Sequence, residues 1–175
     1  IFIHELCSGC GLCWNLCPHK AIEIEKKITG EIFVNKVGKN FHLLTGRSVG
    51  IVEETGPIVS QLRKFAEKYA EEFGADYLLL DTAPGMHCSV IRALINCDLA
   101  YVVTEPTPLG AHDLKLILEL LKKLKIPAKI VLNQFDLGER KEIERLAKDF
   151  KTKIAFEIPY SKKIAELYSK GRLME

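Results

Sequence analysis

Cys7, Cys10, Cys13 and Cys17 place four thiols within eleven residues, in the spacing C-x2-C-x2-C-x3-C-P. Each iron of a [4Fe–4S] cube takes one thiolate, and two-residue gaps let one tight loop wrap three of its corners. Gly9 and Gly11 fall between these ligands. Without side chains, they allow the backbone to approach and its N–H groups to point at cluster sulfurs. Clustered cysteines have two other uses: a zinc knuckle, which rarely needs three cysteines at this pitch, and a disulfide set. The spacing favours the iron–sulfur cluster.

A second set of chemistry-bearing residues follows short apolar runs further on. Asp81-Thr82-Ala83-Pro84-Gly85 follows Tyr77-Leu78-Leu79-Leu80, Thr104-Glu105-Pro106 follows Leu99–Val103, Asn133-Gln134-Phe135-Asp136 follows Ala128–Leu132, and Pro159-Tyr160-Ser161 follows Ile154–Ile158. If the apolar runs are parallel strands, these residues stand at their carboxyl ends, where open α/β sheets bind ligands. A carboxylate held there, as Asp81 would be, suits a Mg²⁺ ion that keeps most of its water. The alternative is that Asp81 only caps the next helix. Gly85 leaves a backbone N–H open to a phosphate.

Residues 1–52 read as β-rich: strands at Phe2-Ile3, Ala21–Glu25, Glu31–Val34, Phe41–Leu44 and Val49–Val52, with a brief helix around Trp14–Leu16 that Cys17-Pro18 must end. From Pro57 the pitch becomes helical, with Ile58, Leu62, Phe65, Ala66, Tyr69, Ala70 and Phe73 on one stripe and Gly74 as the stop. The run Tyr77–Leu80 reads as a strand buried on both faces. Helices at Ser89–Ile95, Ala111–Leu124 and Glu139–Phe150 then alternate with strands, and a last helix starts at Lys162. This βα alternation predicts an α/β fold with a parallel, doubly wound sheet covered on both faces. The expected division is an iron–sulfur module over 1–40 and an α/β domain over 41–175.

Composition narrows the function. The chain has 175 residues, 47% of them hydrophobic, and a net charge of +2. That gives no basic field for nucleic acid. No run reaches the ~18 apolar residues of a membrane span, and the first residues lack the basic region of a signal peptide. Clustered cysteines then fit a metal site in a reducing cytoplasm.

The segments L-L-L-D-T-A-P-G, T-E-P-T-P-L-G-A-H-D-L-K and V-L-N-Q-F-D resemble the Walker B, switch II and later strand ends of MinD/ParA/Mrp-class P-loop ATPases. With E-L-C-S-G-C-G-L-C and T-G-R, they resemble more closely the MinD-superfamily ATPases that carry an inserted ferredoxin domain. The resemblance covers nearly the whole chain. It implies that Asp81 orients Mg²⁺ and water, that Thr82 and Gly85 belong to the nucleotide-sensing switch with Gly85 at the γ-phosphate, that Asn133 reads the adenine edge, and that Pro159 lies in the loop near the base. ATP with Mg²⁺ and a 4Fe–4S cluster are the implied cofactors. A homodimer and a redox or iron–sulfur client protein are the implied partners.

The sequence departs from that family twice. It contains no glycine-rich run ending in Gly-Lys-Thr or Gly-Lys-Ser to cradle phosphates, so these residues alone are expected to bind nucleotide weakly or not at all. The family's insert usually has two cysteine runs, and here there is one. In two-cluster ferredoxins the fourth cysteine of a run serves the other cluster; by resemblance Cys7, Cys10 and Cys13 would hold one cube and Cys17 its neighbour. The expected account of both gaps is that the family's N-terminal part lies outside this sequence.

Among the remaining residues, Cys88 and Cys97 read as core packing, with Cys88 a conceivable alternative ligand; His87 and His112 read as structural, and His19 as exposed. Lys/Glu-rich stretches at 63–72 and 139–148 read as solvated helix faces. The competing functions are an ATP-driven iron–sulfur protein, a ferredoxin-type electron-transfer module on an α/β scaffold, and a cluster store or scaffold.

Overall fold

The structure, a computed structural model, describes residues 7, 9–26, 28–50 and 55–173. The chain divides into two units, one comprising residues 1–83 with 87–93, the other 84–86 with 94–175.

In the first unit, helix α1 (Leu12–Leu16) ends at Cys17, whose extended backbone (ψ 110°) obeys the following proline. Strands β1 (Gly30–Lys36) and β2 (His42–Ser48) form an antiparallel hairpin. The 18-residue helix α2 (Gly56–Phe73) packs on it and stops where Gly74 takes a left-handed backbone (φ 70°). Phe65, Tyr69 and Phe73 form a stack along α2, and His42 of β2 lies 4.0 Å from the Phe73 ring centroid. His42 Nδ1 is 2.7 Å from the Tyr69 hydroxyl, so a polar contact fixes the apolar one. Helix α3 (Cys88–Leu94) buries Val90 and Ala93, and Arg92 donates to Ser60 Oγ on α2.

In the second unit, β3 (Ala100–Thr104), β4 (Ala128–Asn133) and β5 (Ile154–Ile158) form a parallel sheet in that order. Helices α4 (Pro108–Leu124) and α5 (Lys141–Asp149) are the crossovers, and α6 (Lys162–Ser169) follows β5. The core joins Ala111, Leu114 and Leu118 of α4 to Ile130 and Leu132 of β4 and to Ile143, Leu146 and Ala147 of α5. The three- and four-residue spacing on α4 and the alternation on β4 put these side chains on one stripe and one sheet face.

Four sequence expectations need correction. Tyr77–Leu80 is irregular, with Tyr77 86% and Leu79 84% exposed; a strand exists only where a neighbour supplies ladder hydrogen bonds, and among the described residues none pairs with it. Ala21–Glu25 is also irregular and exposed, since alternation without a paired partner does not make a strand. The parallel sheet is covered by α4 and α5 on one face, while Tyr101, Val103 and Phe156 of the other face remain exposed. Cys88 is exposed, not core; Cys97 is half-buried beside Ala100, Leu121 and Ile126. The expected strand at Phe2-Ile3 and residues 51–52 of Val49–Val52 lie outside the described residues.

The two sheet faces should respond differently to truncation. Ile130→Ala, at a fully buried position, should cost about 2–5 kcal/mol in a urea titration. Val103→Thr, on the exposed face, should stay within about 0.5 kcal/mol.

Candidate functional site

The parallel register brings three strand ends level. Thr104 pairs with Leu132 and Asn133 with Ile158, so Glu105, Asn133 and Pro159 stand at the same edge. Beyond β4 the chain turns through Gln134, which has a left-handed backbone (φ 50°). This turn is stitched to the one after β5 twice: Phe135 N–H donates to the Ile158 carbonyl (3.2 Å), and Tyr160 N–H to Asp136 Oδ1 (2.7 Å). Ser161 caps α6 by accepting from Ile164 N–H at 3.3 Å. The result is a pocket of about 210 Å³ whose walls include Asn133 and Gln134, the 158–161 turn, and Ile164, Ala165 and Tyr168 of α6.

Close backbone contact holds the neighbouring β3–α4 turn. A Cβ built on Gly138 would collide with the carbonyl oxygen of Pro106, and one on Gly110 with that of Glu105. Thr104 Oγ1 donates to the Gly110 carbonyl (2.9 Å), and Gly110 N–H donates to Thr107 Oγ1 (3.0 Å), the cap of α4. At the start of α5, Arg140 binds Glu144 (2.6 Å) and Glu157 (2.5 Å). Glu157 first and then Glu144 hold its guanidinium even further toward the charged form than usual. Such an exposed pair orients side chains and contributes little stability.

Asn133 and Pro159 thus line one pocket. Asp81 and Thr82 belong to the first unit and Gly85 to the second, and all three are exposed. Asp81 is not held at a rigid sheet edge, because the run before it forms no strand. Gly85 has the positive φ (87°) expected of a backbone turn. Sequence reasoning gave no role to Glu105, Gln134, Asp136, Tyr168 or the two close-packed glycines. Ile164, Ala165 and Tyr168 had a usable signal in their helical spacing; the glycine contacts had none.

In the cysteine loop, Cys7, Cys10 and Cys13 are exposed and Cys17 is half-buried. Gly9 and Gly11 have φ of 70° and 75°, and nothing lies within 4 Å of a Cβ built on Gly9. Cys17 Sγ accepts from Ala21 N–H at 3.4 Å, the kind of bond that supports a thiolate. Among the described residues, no group of three or more metal-ligating side chains is drawn together. The donor set nonetheless suits an iron–sulfur cluster: four soft thiols, left-handed glycines between them, and a backbone N–H on one sulfur.

Comparison with known proteins separates the two parts. Residues 1–23 match the 4Fe-4S binding domain family. An uncharacterized protein of Methanocaldococcus jannaschii is 40% identical over 171 residues, covering 98% of this chain and 57% of that protein. An uncharacterized ATP-binding protein of the same organism is 26% identical over 113 residues, covering 63% of this chain and 44% of its own length. The chain therefore spans about half the length of these curated relatives. Among solved structures, a ParA family ATPase from Chlorobium tepidum aligns with TM-score 0.59 at 20% identity, over 81% of this chain and 60% of that one. The MinD cell division protein of Aquifex aeolicus gives 0.55 at 19%, over 68% and 52%. The fold is the mixed α/β, parallel-sheet fold of the ParA and MinD ATPases. Joined to it, at the N-terminal side of this sequence, is a 4Fe–4S binding-domain sequence, the combination that the sequence resemblance implied.

The close approach at Gly138 is directly testable. Gly138→Ala should destabilise the chain by about 1–3 kcal/mol through overpacking and shift the backbone amide signals of 133–136, whereas Gly171→Ala, with open space around it, should leave those signals in place.

Proposed function

We propose that this chain is the iron–sulfur-bearing portion of a MinD-type ATPase that couples ATP binding and hydrolysis to electron transfer or cluster delivery. The observation that carries this reading is the union of a 4Fe–4S binding-domain sequence with a pocket at the carboxyl ends of parallel strands. Cys7, Cys10 and Cys13 would hold the cluster, with Cys17 serving the same or a neighbouring one. A bound cluster supplies one-electron chemistry. The chain's own part is to hold thiolates and offer backbone N–H groups.

At the other site, Asn133 would read the base while Pro159 and Tyr160 wall the pocket. By the family resemblance, taken segment by segment, Asp81 would hold Mg²⁺ through water, and Thr82 and Gly85 would contact phosphates. Phosphoryl transfer of this kind is mostly positioning and charge stabilisation. The ATP-binding description of one relative and the ParA and MinD fold support this assignment.

A second reading, a ferredoxin-type module without nucleotide turnover, is favoured by one specific observation: the sequence has no Walker A run. Calorimetry with Mg-ATP, on this chain and on its complete gene product, separates the two. ATP binding by the gene product supports the first reading, and a full cluster with no ATP binding supports the second.

Anaerobic reconstitution followed by iron and sulfide counts tests the cysteine site. Cys10→Ser or Cys13→Ser should remove most cluster absorbance, while Cys97→Ser should leave it intact. Full loading of both loop variants would overturn the assignment.

A further inference from the structure

The amide of Asn133 is not free to choose its orientation. Its Nδ2 donates to Glu105 Oε1 at 3.4 Å, from β4 to the residue just past β3 on the neighbouring rung. A carboxylate offers acceptors only, so it admits the nitrogen end of the amide and rejects the oxygen end. Asn133 also lines the pocket. With Nδ2 committed toward Glu105, Oδ1 is the end left to face a ligand as an acceptor.

Purines differ at the position such an acceptor would read. An adenine edge presents an amino donor beside the N7 acceptor, and a guanine-type edge presents a carbonyl acceptor beside the same N7. The second Nδ2 hydrogen can serve N7 in either case and does not discriminate. Oδ1 pairs with the amino group and is set against the carbonyl, which leaves two acceptors unpaired and costs affinity. Were the amide reversed, the preference would reverse with it.

We infer that Glu105 is a positioning residue that sets base specificity: by fixing the Asn133 amide, it makes the pocket select 6-aminopurines over 6-oxopurines. This rests on the reading that the pocket takes a nucleotide base. Gly110 and Gly138 allow the backbone around Glu105 to pack this closely, because a Cβ at either would collide with the Glu105 or Pro106 carbonyl.

The test uses adenosine and inosine, titrated into the isotopically labelled full chain and followed through the Asn133 side-chain amide and the backbone amides of 158–161. The wild-type chain should bind adenosine more tightly by about three- to tenfold, the worth of one net hydrogen bond. Glu105→Gln, which can donate as well as accept, should bring the two dissociation constants to within about twofold without changing the melting temperature, and Glu105→Ala should do the same. A merely structural role for Glu105 would weaken both nucleosides equally and leave their ratio unchanged. A ratio unaltered in both variants overturns the inference while leaving the base pocket standing. Equal affinity in the wild-type chain overturns it without any variant, and no response to either nucleoside at millimolar concentration overturns both it and the base-binding reading.

Discussion

The burial of Ile130 and Leu132 between α4 and α5 is the constraint from which the pocket follows. Once these two side chains fill that layer, the pleat leaves no choice about where β4 ends or which way Asn133 leaves the sheet. A slip of one residue would expose both core side chains and turn the pocket's polar residue away. The flanking strands take their places by register with β4, and the turns after them are then close enough for the Asp136–Tyr160 and Phe135–Ile158 bonds. A large apolar term thus fixes the coarse position, and a few directional bonds fix the remainder.

Much of this was legible in the sequence because it depends on local period. Helices α2, α4, α5 and α6 and strands β3, β4 and β5 follow from apolar spacing and from Gly and Pro punctuation. The failures concerning strands and sheet share one cause. Tyr77–Leu80 and Ala21–Glu25 have strand-like composition, but strand formation is a property of pairs, and a single run does not reveal its partner. The exposed face of the β3–β4–β5 sheet follows the same rule, since alternation tells which residues share a face and not whether anything covers it.

The two candidate sites differ in the same way. The cysteine ligands were readable because their spacing lies within one loop, where sequence distance limits spatial distance. At the strand ends, Asn133 and Pro159 were readable through resemblance, whereas the Glu105–Asn133 contact joins residues 28 positions apart. Nothing in either segment alone announces that contact. Close approach at Gly138 is equally silent, because a glycine at an ordinary backbone angle looks like any other turn residue.

The run Tyr77–Leu80, which pairs with no strand among the described residues, also has a colloidal consequence. Four apolar residues in a row, two of them almost wholly exposed, offer their backbone groups to any other chain that meets them edge on. Asp76 and Asp81 bracket the run. Stacking copies in register would place carboxylate against carboxylate at both ends, the arrangement by which charged gatekeepers oppose aggregation.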